Sequence, residues 1–296
     1  MKTTIFTGSG VALVTPMHSD GSVNYEELGR ILEFQIGNGT DAIITCGTTG
    51  ESAVLDHKEH CEVISFTVEK VAGRCPVIAG TGSNDTKYAV ELTKTAKQLG
   101  ADAVLSVTPY YNKTSQNGLI KHFSLIADSV DIPIILYNVP SRTGCRIQLD
   151  TYKQLAKHPN IVATKEATED VGLAAQILAE CGDELDVYSG CDDLTVPLMS
   201  LGVKGVISVF ANIMPKESHQ ICEYMLNGET SKAAELHLKY LKLMNALFCD
   251  VNPIPVKEAM NIIGFECGEC RLPLCSMTED KAKALHKIMI DCGAVK

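Results

Sequence analysis

The sequence predicts an α/β fold, a (β/α)8 TIM barrel with a C-terminal helical appendage, and three observations carry that expectation. Eight short, apolar, β-branched runs bounded by turn residues recur along the chain, as buried parallel strands do. Amphipathic helical patterns fill the intervals between them. One junction also repeats: Gly39-Thr40-Asp41-Ala42, Gly100-Ala101-Asp102-Ala103 and Gly202-Val203-Lys204-Gly205 each read as helix end, glycine, polar residue and strand start.

In order, the strands fall at residues 10–14, 42–46, 77–80, 103–107, 134–137, 161–165, 187–189 and 205–209. Asn24 with Glu27, and Asp56 with Glu59, match helix-start capping, while Gly73 and Gly100 stand where C-terminal caps belong. Eight βα units over about 225 residues suit a barrel, and periodicity alone leaves a doubly wound sheet of the same units open. After that the pattern changes. Helical stretches at 232–248, 255–263 and 278–292 follow without strands, with Pro255 in a first turn and Gly293 at a cap. The expected division is a catalytic barrel over 1–229 and a helical domain over 230–296.

Composition narrows the class. The 296 residues are 45% hydrophobic, enough for one large core, and the formal net charge of −10 without any Lys/Arg cluster excludes a nucleic-acid partner. No apolar run approaches the roughly 18 residues of a membrane span, and the N-terminus has no signal-peptide pattern, so a cytoplasmic protein is expected. The 12 cysteines are scattered, and those in apolar runs (Cys46, Cys61, Cys222) read as small hydrophobes in a reducing compartment. Cys267, Cys270 and Cys275 lack the second ligand pair of a zinc site, so no metal is expected.

In a barrel the chemistry sits at the strands' C-terminal ends. Gly47-Thr48-Thr49-Gly50-Glu51-Ser52 follows the second strand, Thr108-Pro109-Tyr110-Tyr111-Asn112 the fourth, and Asn138-Val139-Pro140-Ser141-Arg142-Thr143-Gly144 the fifth. The fifth strand ends on Tyr137 and the sixth on Lys165, so an amine and a phenol meet at one mouth. Threonine hydroxyls between glycines offer donors for a small carboxylate. A free lysine, with a pKa of about 10.4, attacks a carbonyl only if burial lowers that value or a neighbour accepts its proton. Tyr137, a threonine and a second tyrosine form a candidate proton relay. There is no Walker loop, dinucleotide fingerprint or zinc-helix pair, and His57 and His60, three apart on one helix, read as surface or effector-site residues. A cofactor-free mechanism is expected.

Together these residues resemble the pyruvate-dependent class I aldolase family essentially end to end. The matching segments include the Gly47–Ser52 loop residues, Tyr110-Tyr111-Asn112, Lys165-Glu166, Ser189-Gly190-Cys191-Asp192-Asp193, Gly205-Val206-Ile207-Ser208-Val209 and Asn252-Pro253-Ile254-Pro255-Val256-Lys257. The Asn-Val-Pro-Ser-Arg-Thr-Gly loop discriminates, because the sialic acid lyase branch usually lacks that arginine. The resemblance implies a Schiff base between Lys165 and pyruvate, whose enamine attacks the aldehyde of L-aspartate 4-semialdehyde in lysine and diaminopimelate biosynthesis. The sister activity on a sugar acid such as N-acetylneuraminate is the alternative.

By the same resemblance Tyr137, Thr48 and Tyr111 form the relay, Tyr111 reaching into a neighbouring subunit's site. Thr49 joins Thr48 on the pyruvate carboxylate, Gly190 and Ile207 give backbone contacts, and Arg142 binds the semialdehyde carboxylate. A homotetramer of two tight dimers is implied, as is an L-lysine effector site at Ser52, Ala53, His57, His60, Asn84 and Tyr110. Tyr88 stands where inhibited members carry a glutamate, and Thr114 where the family more often has proline.

Overall fold

A computed structural model describes residues 2–295. Eight parallel strands close in sequence order: β1 (Gly8–Ala12), β2 (Ala42–Thr45), β3 (Val77–Gly80), β4 (Ala103–Val107), β5 (Ile134–Asn138), β6 (Ile161–Glu166), β7 (Asp186–Ser189) and β8 (Gly205–Ser208). Closure decides between the two topologies, because β1 pairs with β8, Gly8 opposite Gly205 and Gly10 opposite Ile207. The result is a TIM barrel and not an open sheet.

The first strand lies two residues earlier than the apolar run 10–14 suggests. Leu13 and Val14 are buried, but Val14 N–H donates to the Asn212 side chain (3.1 Å) and not to a strand. At the other end Gly8, with φ +108°, extends the strand where a Cβ would lie 2.2 Å from the Asp41 carboxylate. Apolarity marks burial here and glycine marks the ladder.

The helices are α1 (Tyr25–Gly37), α2 (His57–Val71), α3 (Thr86–Gln98), α4 (Gln116–Asp128), α5 (Pro140–Thr143), α6 (Leu149–Leu155), α7 (Val171–Cys181), α8 (Thr195–Met199) and α9 (Pro215–Leu226). Two of the starts, those of α1 and α2, are capped as the sequence predicts. The Asn24 side chain accepts from Glu27 N, and Asp56 with Glu59 forms a reciprocal capping box. The repeated junction is real: Gly39, Gly100 and Gly202 all have positive φ (+85°, +91° and +102°), which reverses the chain from helix into strand.

Two apolar layers result. Phe6, Ile44, Ile78, Leu105, Ile135, Tyr188 and Ile207 fill the barrel interior, and a larger shell lies between strands and helices. Tyr188 stacks on Phe6 at 4.3 Å and donates its hydroxyl to Phe6 O (2.7 Å), closing the N-terminal end of the barrel. The open end is therefore the one carrying the strand C-termini. Cys46 and Cys222 are buried as expected, whereas Cys61 is only half-buried, since it lies on α2 one residue past the inward-facing His60.

The C-terminal segment forms α10 (Thr230–Ala246), α11 (Ile254–Ile262) and α12 (Glu279–Asp291). Leu243, Met244, Val256, Met260, Leu285 and Met289 join the outer core. A fully buried ion pair ties α11 to the loop after β2: Lys257 Nζ lies 2.8 Å from Glu51 Oε1, and Arg271 N donates to Glu51 Oε2 at 2.9 Å. Such a pair contributes little net stability but is costly to break on one side, so it fixes the loop's position. No helix among the described residues is long and apolar enough to cross a membrane.

Candidate active site

At the open end of the barrel lies a cavity of about 300 Å3. Thr48 and Thr49 from the loop after β2, Tyr137 at the end of β5, Arg142 in α5, Lys165 in β6 and Gly190 after β7 all line it. Six of the eight residues expected at the site thus meet in one space. Each arrives because its strand is short, apolar and followed at once by a polar turn.

Lys165 is 5% exposed, and its Nζ lies 4.5 Å from the centre of the Tyr137 ring. These two residues are direct partners in the β5–β6 ladder. Glu166, one residue on, turns to the opposite face, where Asn138 and Tyr152 hold it. Lys165 and Glu166 therefore do not pair. Close packing against Gly190 leaves room for the lysine stem, since a Cβ there would sit 3.1 Å from Lys165 Cε and 2.6 Å from Ala167 Cβ.

The threonine loop is held from both sides. Thr15 Oγ1 donates to Gly50 O (2.7 Å), and Asn252 Nδ2 donates to Thr49 Oγ1 (3.0 Å). That second bond uses an acceptor lone pair of the Thr49 hydroxyl and leaves its O–H free to donate into the cavity. The backbone carbonyl of the same Asn252 accepts from Arg142 Nη2 at 3.2 Å. One residue thus links the two groups suited to bind carboxylates.

Asp192 closes another side. It is buried, and its Oδ2 accepts from Val209 N and Phe210 N, each at 3.0 Å, which joins the loop after β7 to the turn after β8. Burial pushes its carboxyl up, against the hydrogen bonds from Ser208 and these two amides. Neither Asn252 nor Asp192 has a part that the sequence predicts, beyond belonging to matching segments. A pair of acidic residues just past a strand end is the available signal for Asp192, and Asn252 has no local one.

Two expected residues are not among those lining the cavity. Ile207 is fully buried in the interior layer beneath the cavity, and Val209 forms the wall at that strand. Tyr111 is 92% exposed and lines no part of its own chain's cavity. Its backbone has φ +67°, a left-handed value that a bulky residue adopts only at a cost of about 1–3 kcal/mol. The helical segment supplies walls that were not foreseen, Met244, Asn245 and Phe248.

The expected effector residues divide. Ser52 and Ala53 form a short turn before α2, His57 opens that helix, and its Nδ1 lies 3.4 Å from the Tyr88 hydroxyl. Asn84 O accepts from Asn112 Nδ2 (3.0 Å), which brings the segment after β3 to the loop bearing Tyr110. His60, however, is a correction to the surface reading. It is 5% exposed, and its Nε2 lies 2.8 Å from Gly80 O, because three residues on from His57 the helix faces the barrel. Burial lowers its pKa, which favours the neutral ring. Cys267 is buried, Cys270 half-buried and Cys275 exposed, and no group of three metal-ligating side chains comes together among the described residues.

Fold and cavity define a class, barrel enzymes with a buried lysine amine at the strand mouth beside a tyrosine and a carboxylate-binding loop. The sequence pattern of the dihydrodipicolinate synthetase family matches residues 5–291, and the chain belongs to that family. It is 57% identical to 4-hydroxy-tetrahydrodipicolinate synthase of Caldicellulosiruptor bescii over 98% of both chains. It is 54% identical to the enzyme of that name from Acetivibrio thermocellus over the full length of both. Among solved structures, the chloride-inhibited dihydrodipicolinate synthase of Acinetobacter baumannii complexed with pyruvate superimposes with a TM-score of 0.97, at 45% identity, covering 99% of this chain and 100% of that one.

Proposed function

We propose that the chain is a lyase, a 4-hydroxy-tetrahydrodipicolinate synthase condensing pyruvate with L-aspartate 4-semialdehyde in lysine and diaminopimelate biosynthesis. The observation that carries the reading is the placement of Lys165, Thr48, Thr49 and Arg142 around one cavity of about 300 Å3. It offers an amine for a ketone and separate donors for two carboxylates, as these substrates require. The full-length relatives carry the same activity in their names and favour it over a sugar-acid lyase.

In this mechanism the neutral Lys165 amine adds to the pyruvate ketone carbon and water leaves, giving the imine. Loss of a methyl proton yields the enamine, whose carbon attacks the semialdehyde aldehyde. The substrate's own amine then adds to the imine carbon and expels Lys165, so one water is lost overall. No cofactor is needed, since the iminium is the electron sink. Tyr137 and Thr48 carry protons between these steps, with the pyruvate carboxylate on Thr48 and Thr49 and backbone contacts from Gly190 and Ile207.

Tyr111 completes the relay in a second copy of the chain, which gives its exposed ring and left-handed backbone a purpose. A homotetramer of two tight dimers, acting in the cytoplasm, follows from this reading.

Arg142 selects the acceptor. Its guanidinium, steadied by Asn252 O, presents a planar fork to the semialdehyde carboxylate. Arg142→Ala is expected to lower kcat/KM for the semialdehyde by about tenfold to a hundredfold, the worth of one charge-assisted bidentate contact. Borohydride trapping of pyruvate should stay at the parental rate. Steady-state kinetics with the semialdehyde varied, beside the trapping assay, checks both halves.

L-lysine should be a weak effector here. Ser52, Ala53, His57, Asn84 and Tyr110 surround the expected site, but Tyr88 supplies a phenol where an ammonium needs a carboxylate, and His60 is already engaged with Gly80 O. Initial rates with added L-lysine should change little, and a steep fall at micromolar effector would contradict the assignment.

A further inference from the structure

The strand pair that carries Tyr137 and Lys165 is irregular. Ile134 pairs with Ile161, but Ile135 pairs with Ala163, so Val162 is left without an opposite number and the register moves by one residue. Beyond this bulge Tyr137 faces Lys165 and Asn138 faces Glu166. Without it, Tyr137 would fall opposite Thr164 and Asn138 opposite Lys165. A slip of one residue exchanges the faces of a strand, and it would turn the lysine out of the cavity.

Behind the pair, on the face away from the cavity, lies a closed polar cluster. Asn138 Nδ2 is 3.2 Å from both Glu166 oxygens, and the Tyr152 hydroxyl donates to Glu166 Oε2 at 2.9 Å. Asn138 Oδ1 accepts from Ile147 N at 3.1 Å, and Tyr152 Oη is 3.2 Å from Thr164 Oγ1. All three side chains are at most 3% exposed. Burial raises the Glu166 carboxyl to about 7, with the Tyr152, Asn138 and Thr168 bonds and the Arg146 charge opposing that rise. An apolar filling would cost less, so the cluster is expensive for stability alone.

We propose that Asn138, Glu166 and Tyr152 form a register lock that holds Lys165 opposite Tyr137, and that they are positioning residues which touch no substrate. The inference rests on Lys165 and Tyr137 being the reactive pair. The geometry gives the lock its specificity. The Asn138 amide bonds both carboxylate oxygens of the residue it faces only in the shifted register. Tyr152 in α6 anchors Glu166 to the helix layer, so β6 cannot slide without breaking both contacts.

The test uses the full-length protein and four variants: Asn138→Asp, Glu166→Gln, the two combined, and Tyr152→Phe. Two quantities are read, the borohydride trapping rate at Lys165 with pyruvate and kcat with both substrates. Each single change at 138 or 166 should lower trapping and kcat together by about tenfold to a hundredfold, the scale of a misplacement near 1 Å. The combination exchanges donor and acceptor and should recover about tenfold of that loss in rate per folded protein, so that a change in stability alone does not count as recovery. Tyr152→Phe removes one hydroxyl and keeps the ring's packing, so it decides the matter if the charged-site variants fail to fold. Its trapping rate should fall several-fold. Folded variants that trap at the parental rate, or a combination no better than its parts, overturn the lock. A parental protein that forms no adduct at Lys165 overturns the functional reading itself, and the lock with it.

Discussion

Lys165→Ala should abolish the reduced pyruvate adduct and lower turnover by at least about 10³-fold, because every later step runs through the imine. The side chain is buried at the end of β6, and its Nζ projects over the Tyr137 ring into the cavity. Lys165→Arg should fail as completely, since a guanidinium stays protonated at any workable pH and cannot add to a ketone. Mass spectrometry after borohydride reduction in the presence of pyruvate reads the result directly. An adduct in the alanine variant would place the nucleophile elsewhere. Fold should survive, because among the described residues Lys165 makes neither an ion pair nor a side-chain hydrogen bond that the substitution would remove.

The second large effect belongs to Tyr137→Phe. Removing one hydroxyl from a proton relay costs about 10²–10⁴-fold in rate. The ring itself would still pack over Lys165 and against the interior layer, so stability should change little. Pre-steady-state kinetics with pyruvate alone, followed by turnover with both substrates, separates slow imine formation from slow carbon–carbon bonding. If phenylalanine turned over at the parental rate, the protons would have to travel through Thr48 or water alone.

Much of this site is legible in the sequence for a physical reason. In a parallel barrel each strand is a short apolar run, and its last two residues and the segment just after it stand at the open end. Lys165, Tyr137, Thr48, Thr49, Arg142 and Gly190 are all residues of this kind, and all reach the cavity. Asn252 is different. It touches Thr49 across 203 positions of chain, and nothing local announces that contact. Met244, Asn245 and Phe248 reach the cavity from the end of α10 for the same kind of reason, a packing of helix on barrel that periodicity does not encode.

The first strand starts earlier than its apolar run because two buried residues, Leu13 and Val14, continue that run, while the true start rests on Gly8 and the space before the Asp41 carboxylate. His60 shows the opposite error. A polar residue on an amphipathic helix looked exposed, yet it faces inward and satisfies its ring nitrogen on a strand carbonyl. The bulge between β5 and β6 was equally invisible, since Val162 is as apolar and buried as its neighbours. The register lock that follows from it needs the paired strands in three dimensions.

The most direct test of the whole account is pyruvate consumption by the purified protein, measured in parallel with L-aspartate 4-semialdehyde and with N-acetylmannosamine as acceptors. Turnover with the semialdehyde alone is the predicted result, and it would establish the acceptor and with it the synthase reaction. Turnover with the sugar and not the semialdehyde would contradict the account.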